Sequence, residues 1–174
     1  TNINAANIVS TNVTASGNIF SSNSFVTSNI TTSNVVATGS VYVTSNVTTS
    51  NVVATGSVFV TTNINAANIV STNVTASGNI FSSNSFVTSN ITTSNVVATG
   101  SVYVTNNVTT SNVVATGSAY ITSNINAANV VSTNVTASGN VITSNVFVTS
   151  NVTTSNIVAT GSVFVTNNVT TSNV

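Results

Sequence analysis

Seventeen residues from Asn29 to Ser45 are followed by seventeen nearly identical ones from Asn46 to Thr62, and this tandem leaves few folds open. Each block divides into segments of five, six and six residues, and Asn or Ser opens every segment. The second residue of each segment is a large aliphatic; the fourth is Thr32, Ala37 and Val43, then Thr49, Ala54 and Val60. Side chains two apart on an extended chain share a face. Positions two and four therefore point inward and position three points out, with the chain turning at each opening residue. Three short strands and three corners per block predict an all-β fold, a three-sided β-solenoid in which every seventeen-residue block makes one coil. The spacing assigns Ile30, Val35, Val41, Val47, Val52 and Val58 to the interior, and Asn34, Gly39, Asn46, Asn51 and Gly56 to the corners. Three intertwined chains, each giving one side of every coil, are the alternative geometry.

A longer period encloses the short one. Residues 2–62 recur as 63–123 and again over 124–174. Composition does not shift along the chain and no linker interrupts it, so one continuous shaft without separate domains is expected. Each long unit holds eleven segments, which is not a multiple of three. On a three-sided coil each unit must start one face away from the last, and columns of like residues must move round the shaft. All ten aromatics occupy the outward third position, among them Phe25, Tyr42, Phe59, Phe86 and Tyr103. They are expected to stack from coil to coil, Tyr42 between Phe25 and Phe59.

The corners have their own chemistry. All eight glycines close six-residue segments. Glycine takes positive φ without penalty and Asn tolerates it better than most residues, so Gly39-Ser40 and Ser33-Asn34 are expected to turn by that route. Asn opens 26 of 31 complete segments, enough for corner amides to hydrogen-bond in ladders as in other stacked β structures.

The chain contains no Lys, Arg, Asp, Glu, His or Cys, and these absences bear on function. Acid–base catalysis lacks a group titrating near neutrality, and the Ser and Thr hydroxyls lack an activating partner. Thiolate, imidazole and carboxylate metal ligands are missing, so no cofactor or metal is expected. Phosphate backbones are gripped mainly by Lys and Arg, so nucleic acid is not an expected partner. Segments of five or six residues are too short for the strands of about 9–11 residues that cross a bilayer as a barrel, so membrane insertion is not expected either. The expectation is a non-enzymatic structural protein.

Three weaker motifs remain. Nine Asn-x-Thr sequons, beginning at Asn12, Asn29 and Asn46, suit glycosylation of a secreted shaft, although repetition of Asn-Val-Thr produces them by composition alone. Outward Thr14, Thr31 and Thr48, with Ser16, Ser33 and Ser50, form a hydroxyl row of the kind an ice-binding solenoid needs, interrupted by Asn65 and Phe81. The outward aromatics suit either sugar platforms, as in a glycan adhesin, or contacts between neighbouring shafts. An amyloid-like stack of separate short strands is a further alternative.

Asn12-Val-Thr-Ala-Ser-Gly and Asn34-Val-Val-Ala-Thr-Gly resemble the Asn/Val/Thr/Gly repeats in fibre shafts of tailed phages and large algal viruses. The resemblance spans the chain and implies a structural virion fibre, often a homotrimer, extracellular or on the virion surface, that associates with itself laterally or end to end. The spacing of an aliphatic and a small residue two later is similar to hexapeptide-repeat left-handed β-helices, which implies a left-handed coil. The chain departs from that family in mixing five- with six-residue sides and in lacking its catalytic His. Ala6-Asn7-Ile8-Val9-Ser10 looks like one unit of the four-sided pentapeptide-repeat family, but six-residue segments break that register.

Overall fold

A computed structural model describes residues 1–173. Extended segments wind into about ten coils of a β-solenoid, and helix is absent among the described residues. Every strand pairing recorded is parallel, and each strand lies against the segment one coil away: Ile3↔Ile19, Val35↔Val52, Val41↔Val58. Coils closed by two five-residue sides advance the register by sixteen positions, and those with one five-residue side by seventeen. Ile19 thus meets Val35, and Val35 meets Val52. Partners three segments apart make the coil three-sided. The pairing runs within one chain, which closes each coil on itself instead of sharing it among three.

Alternation of side chains drives the winding. Val35, Val41, Val47, Val52 and Val58 are all fully buried, and Ile30 is 1% exposed. Inward aliphatic residues of successive coils form one core cluster along the shaft, with buried Ser and Thr set among them. Burial of a Val or Ile contributes about 1.5–3 kcal/mol, while backbone ordering costs about 1–2 kcal/mol per residue. A solitary segment with two inward residues cannot meet that cost. Stability comes only with neighbours above and below, as in other solenoids.

The corners differ from the expectation drawn from glycine and asparagine. No residue among those described, glycine or otherwise, has positive φ. The backbone turns without visiting the left-handed region, and its ladder carries on round the bend. Gly39 N–H donates to Ser22 O at 2.6 Å, Gly56 N–H to Gly39 O at 2.9 Å, and Thr44 N–H to Val26 O at 3.0 Å. In Ile125–Val148 the extended path runs unbroken for 24 residues, longer than a whole coil.

Glycine is required for a different reason. A Cβ built on Gly56 would sit 2.6 Å from Ser40 Oγ and 2.9 Å from Gly39 O of the coil before it. One built on Gly39 would meet Asn23 Oδ1 and lie 2.7 Å from Ser22 O. The corner glycine thus makes room for the ladder residue and the carbonyl stacked against it.

Candidate functional site

No single cleft gathers the outward residues; they form columns parallel to the shaft axis, one on each of three faces. The first face carries Phe20, Val36, Val53, Val70, Phe86, Tyr103 and Tyr120, then Thr136, Thr153 and Thr170. The second carries Val9, Phe25, Tyr42 and Phe59, then Thr75, Thr92 and Thr109. On the third, Thr14, Thr31 and Thr48 come first, followed by Asn65, Phe81, Val97 and Val114. Aromatic runs and Thr runs therefore step to another face with each long unit, as eleven segments on three sides demand.

The aromatic runs are continuous stacks. Phe25–Tyr42 and Tyr42–Phe59 each have centroids 4.8 Å apart and planes within 6°. Tyr103–Tyr120 lies at 4.9 Å and 7°, and Phe86–Tyr103 opens to 5.6 Å and 28°. Phe147–Phe164 repeats the arrangement at 5.1 Å. Offset stacking of this kind contributes about 0.5–1.5 kcal/mol per pair beyond buried area. It also fixes what the rings can do. A sugar docks on a ring face, and within these stacks both faces of Tyr42 and Tyr103 are already covered. The rings expose edges, which suits packing against another apolar surface better than saccharide binding.

Corner amides form three ladders of two chemical kinds. Asn34 and Asn51 sit in side-chain rungs: Asn34 Nδ2 donates to Asn18 Oδ1 at 2.5 Å, Asn51 Nδ2 to Asn34 Oδ1 at 2.5 Å, and Asn68 Nδ2 to Asn51 Oδ1 at 2.8 Å. Asn46 belongs to the other kind, in which a backbone N–H donates to the preceding Oδ1: Asn46 to Asn29 at 3.0 Å and Asn63 to Asn46 at 3.2 Å. Where Ser replaces Asn the chain of bonds persists, with Ser40 N–H donating to Asn23 Oδ1 and Ser57 N–H to Ser40 Oγ. The sequon asparagines all fall in the second kind or beside such a Ser, where Nδ2 makes only long bonds such as Asn29 to Ser28 Oγ at 3.2 Å and Asn90 to Ser89 Oγ at 3.1 Å.

Many of the corner hydroxyls are occupied. Thr44 Oγ1 donates to Thr27 O and Thr61 Oγ1 to Thr44 O, a second ladder beside the amides. Ser33 Oγ donates to Ser16 O of the coil before it at 3.1 Å, which takes that hydroxyl out of the row beside Thr14 and Thr31. A shallow open groove of about 750 Å³ runs past Thr75, Thr92 and Thr109 and the Ser77, Ser94 and Ser111 beside them. Its lining holds hydroxyls, the Asn126 amide, alanines and the aliphatic Ile142 and Val158, with nothing to activate a nucleophile.

One internal feature escaped the sequence pattern. Ser21 and Ser24 face each other in the interior with Oγ atoms 2.8 Å apart, and Ser82 and Ser85 repeat the pair at 2.9 Å. Their only signal was Ser at an otherwise aliphatic second position. In the third unit Val146 replaces the second Ser, and Thr143 Oγ1 donates instead to Ala128 O and Asn145 O, each at 2.9 Å. Among the described residues no buried side-chain nitrogen or oxygen lacks a partner, as native interiors require.

Comparison of the chain with protein-family models, with characterised proteins and with solved structures finds no match.

Proposed function

We propose that the chain is the stiff, passive shaft of an extracellular or virion fibre and performs no catalysis. The observation that carries this reading is the continuity of its bonding along the axis. Three amide ladders, the Thr–carbonyl ladders and the apolar spine all run from coil to coil. Each is directed along the shaft, so bending the rod strains several hydrogen-bonded columns together. With strands about 4.8 Å apart, ten coils make a rod about 50 Å long. The attribution to a virion or cell-surface fibre rests on the resemblance of the Asn/Val/Thr/Gly repeats to fibre shafts.

The same reading makes other copies of the chain the natural partners. Apolar columns such as Phe81, Val97 and Val114 are an unusual exterior for an isolated rod. Side-by-side packing of shafts, as in a trimer, covers them. An ice-binding surface is less well served, because each Thr row lasts three coils before Asn or an aromatic ends it.

Immunogold labelling with antibody to this chain tests the proposal. Gold along the stalks of a fibre, with an axial repeat of about 4.8 Å in cryo-EM images of those stalks, is the expected result. Label spread through the cell interior with none on filaments refutes it.

A further inference from the structure

We infer that the Phe86–Tyr103–Tyr120 stack forms one wall of a binding slot for an elongated, planar aromatic molecule of two or three linked rings. A narrow cavity of about 180 Å³ lies beside this stack, running from Phe86 past Tyr103 and Tyr120 to Thr136. Those residues belong to four successive coils, three steps of about 4.8 Å, so the slot is about 14 Å long. Val87, Val104 and Ile121, buried residues of the interior, lie beneath it, and Thr105, Thr122 and Ser138 border it at the corner.

The shape and chemistry of the slot select its occupant. The stacked rings turn their faces toward one another, at 4.9 Å and 7° for Tyr103–Tyr120, so ring edges border the slot. Edges carry the positive side of the aromatic quadrupole and favour the π-face of another ring in edge-to-face contact. Two of the corner hydroxyls make no demand on a ligand, because Thr122 Oγ1 already donates to Thr105 O and Ser138 Oγ to Thr122 O; that of Thr105 stands at the slot's rim. With no charged side chain in the protein, ionic groups gain nothing inside the slot. A flat apolar molecule lying along the axis touches all three rings at once.

The equivalent stack one unit earlier supplies an internal control. Tyr42 precedes Tyr103 by one long unit and has the same flanking Val and Thr residues, but Val58, Phe59 and Val60 in the next coil become Ala119, Tyr120 and Ile121. Tyr42 and Phe59 nevertheless lie half-buried, whereas Tyr103 and Tyr120 stand 44% and 42% exposed. The splay between Phe86 and Tyr103, 28° against 6° for Phe25–Tyr42, marks the same difference. Tyr103 and Tyr120 stand off the surface and border a cavity; Tyr42 and Phe59 lie closer to it.

The neutral dye 1,6-diphenyl-1,3,5-hexatriene, two rings joined by a flat polyene, titrated into the full chain and read by fluorescence, tests the assignment. Saturable binding is expected, weakened about tenfold by Tyr103→Ser and unchanged by Tyr42→Ser, with circular dichroism reporting the fold of both variants. Thr105→Phe, which fills the slot and leaves the stack in place, is expected to abolish binding and keeps the test decisive should Tyr103→Ser unfold. Undiminished binding by Thr105→Phe, or equal losses from Tyr103→Ser and Tyr42→Ser in folded protein, overturns the proposal.

Discussion

Replacing Gly56 by Ala separates two explanations of the corner glycines by the sign of its effect. If glycine were needed only for its freedom, Ala would stabilise the shaft. Gly56 does not have positive φ, and Gly→Ala at a compatible conformation gains about 0.4–1 kcal/mol by restricting the unfolded chain. The stacked geometry reverses this. The added Cβ meets Ser40 Oγ at 2.6 Å and Gly39 O at 2.9 Å. Both lie well inside ordinary contact, and the carbonyl cannot retreat without disturbing the bond it accepts from Gly56 N–H at 2.9 Å. Overpacking of this kind costs about 1–3 kcal/mol, which outweighs the entropic gain. Hydrogen exchange is the suitable assay, because a repeat array unfolds locally and a single global transition need not exist. Amides of the corners at Gly39 and Gly56 are expected to exchange roughly 5- to 150-fold faster, the range that about 1–3 kcal/mol implies. Slower exchange in Gly56→Ala refutes the close-approach argument and returns the glycine to a purely conformational role.

Other perturbations read the remaining layers. Val52→Asp places a charge in the fully buried interior and is expected to prevent folding; Val53→Asp, one residue along and 36% exposed, should leave circular dichroism and thermal midpoint nearly unchanged. Asn51→Ala removes bonds to Asn34 and from Asn68 and should lower stability in urea by about 1–3 kcal/mol. Ser24→Val alone strands the Ser21 hydroxyl and should cost about 1–3 kcal/mol, while Ser21→Thr with Ser24→Val copies the third unit and should recover most of it. Because the chain holds no carboxylate, imidazole or basic side chain, its unfolding midpoint should be flat between about pH 3 and 6 and nearly independent of salt.

Much of the fold was legible because its information is local and repeated. A period of two within each segment separates Val52 from Val53, and a corner residue every five or six positions sets the length of a side. Three segments per block then give the coil. What the sequence hid depends on contacts between coils. Glycine looks alike whether it is chosen for φ or for space, and only the position of Asn23 and Ser40 over the next corner decides. Likewise Ser24 reads as a lapse in an aliphatic column until Ser21 is found opposite it. The slot at Tyr103 depends on how rings of successive coils stand, and its only sequence signal is the change of Val58, Phe59 and Val60 to Ala119, Tyr120 and Ile121 one unit later.

The mismatch between eleven segments and three sides explains why the chain is so uniform. Any residue type at a given place in the unit appears on all three faces in turn as units succeed one another. Thr14, Thr75 and Thr136 occupy three different columns, and so do Phe25, Phe86 and Phe147. A side chain suited to one face alone would be misplaced in two units out of three. The same holds for corners: Asn34 pairs Nδ2 to Asn18, and its counterpart Asn95 pairs Nδ2 to Asn79 at the same 2.5 Å, though the two stand at different corners. The repeat is therefore confined to residues that work equally on every side, aliphatic inside, amide or hydroxyl at the bend, and neutral outside. Such a rod has no privileged face along its length; it has an aromatic patch that winds around it, moving on by one side with every long unit.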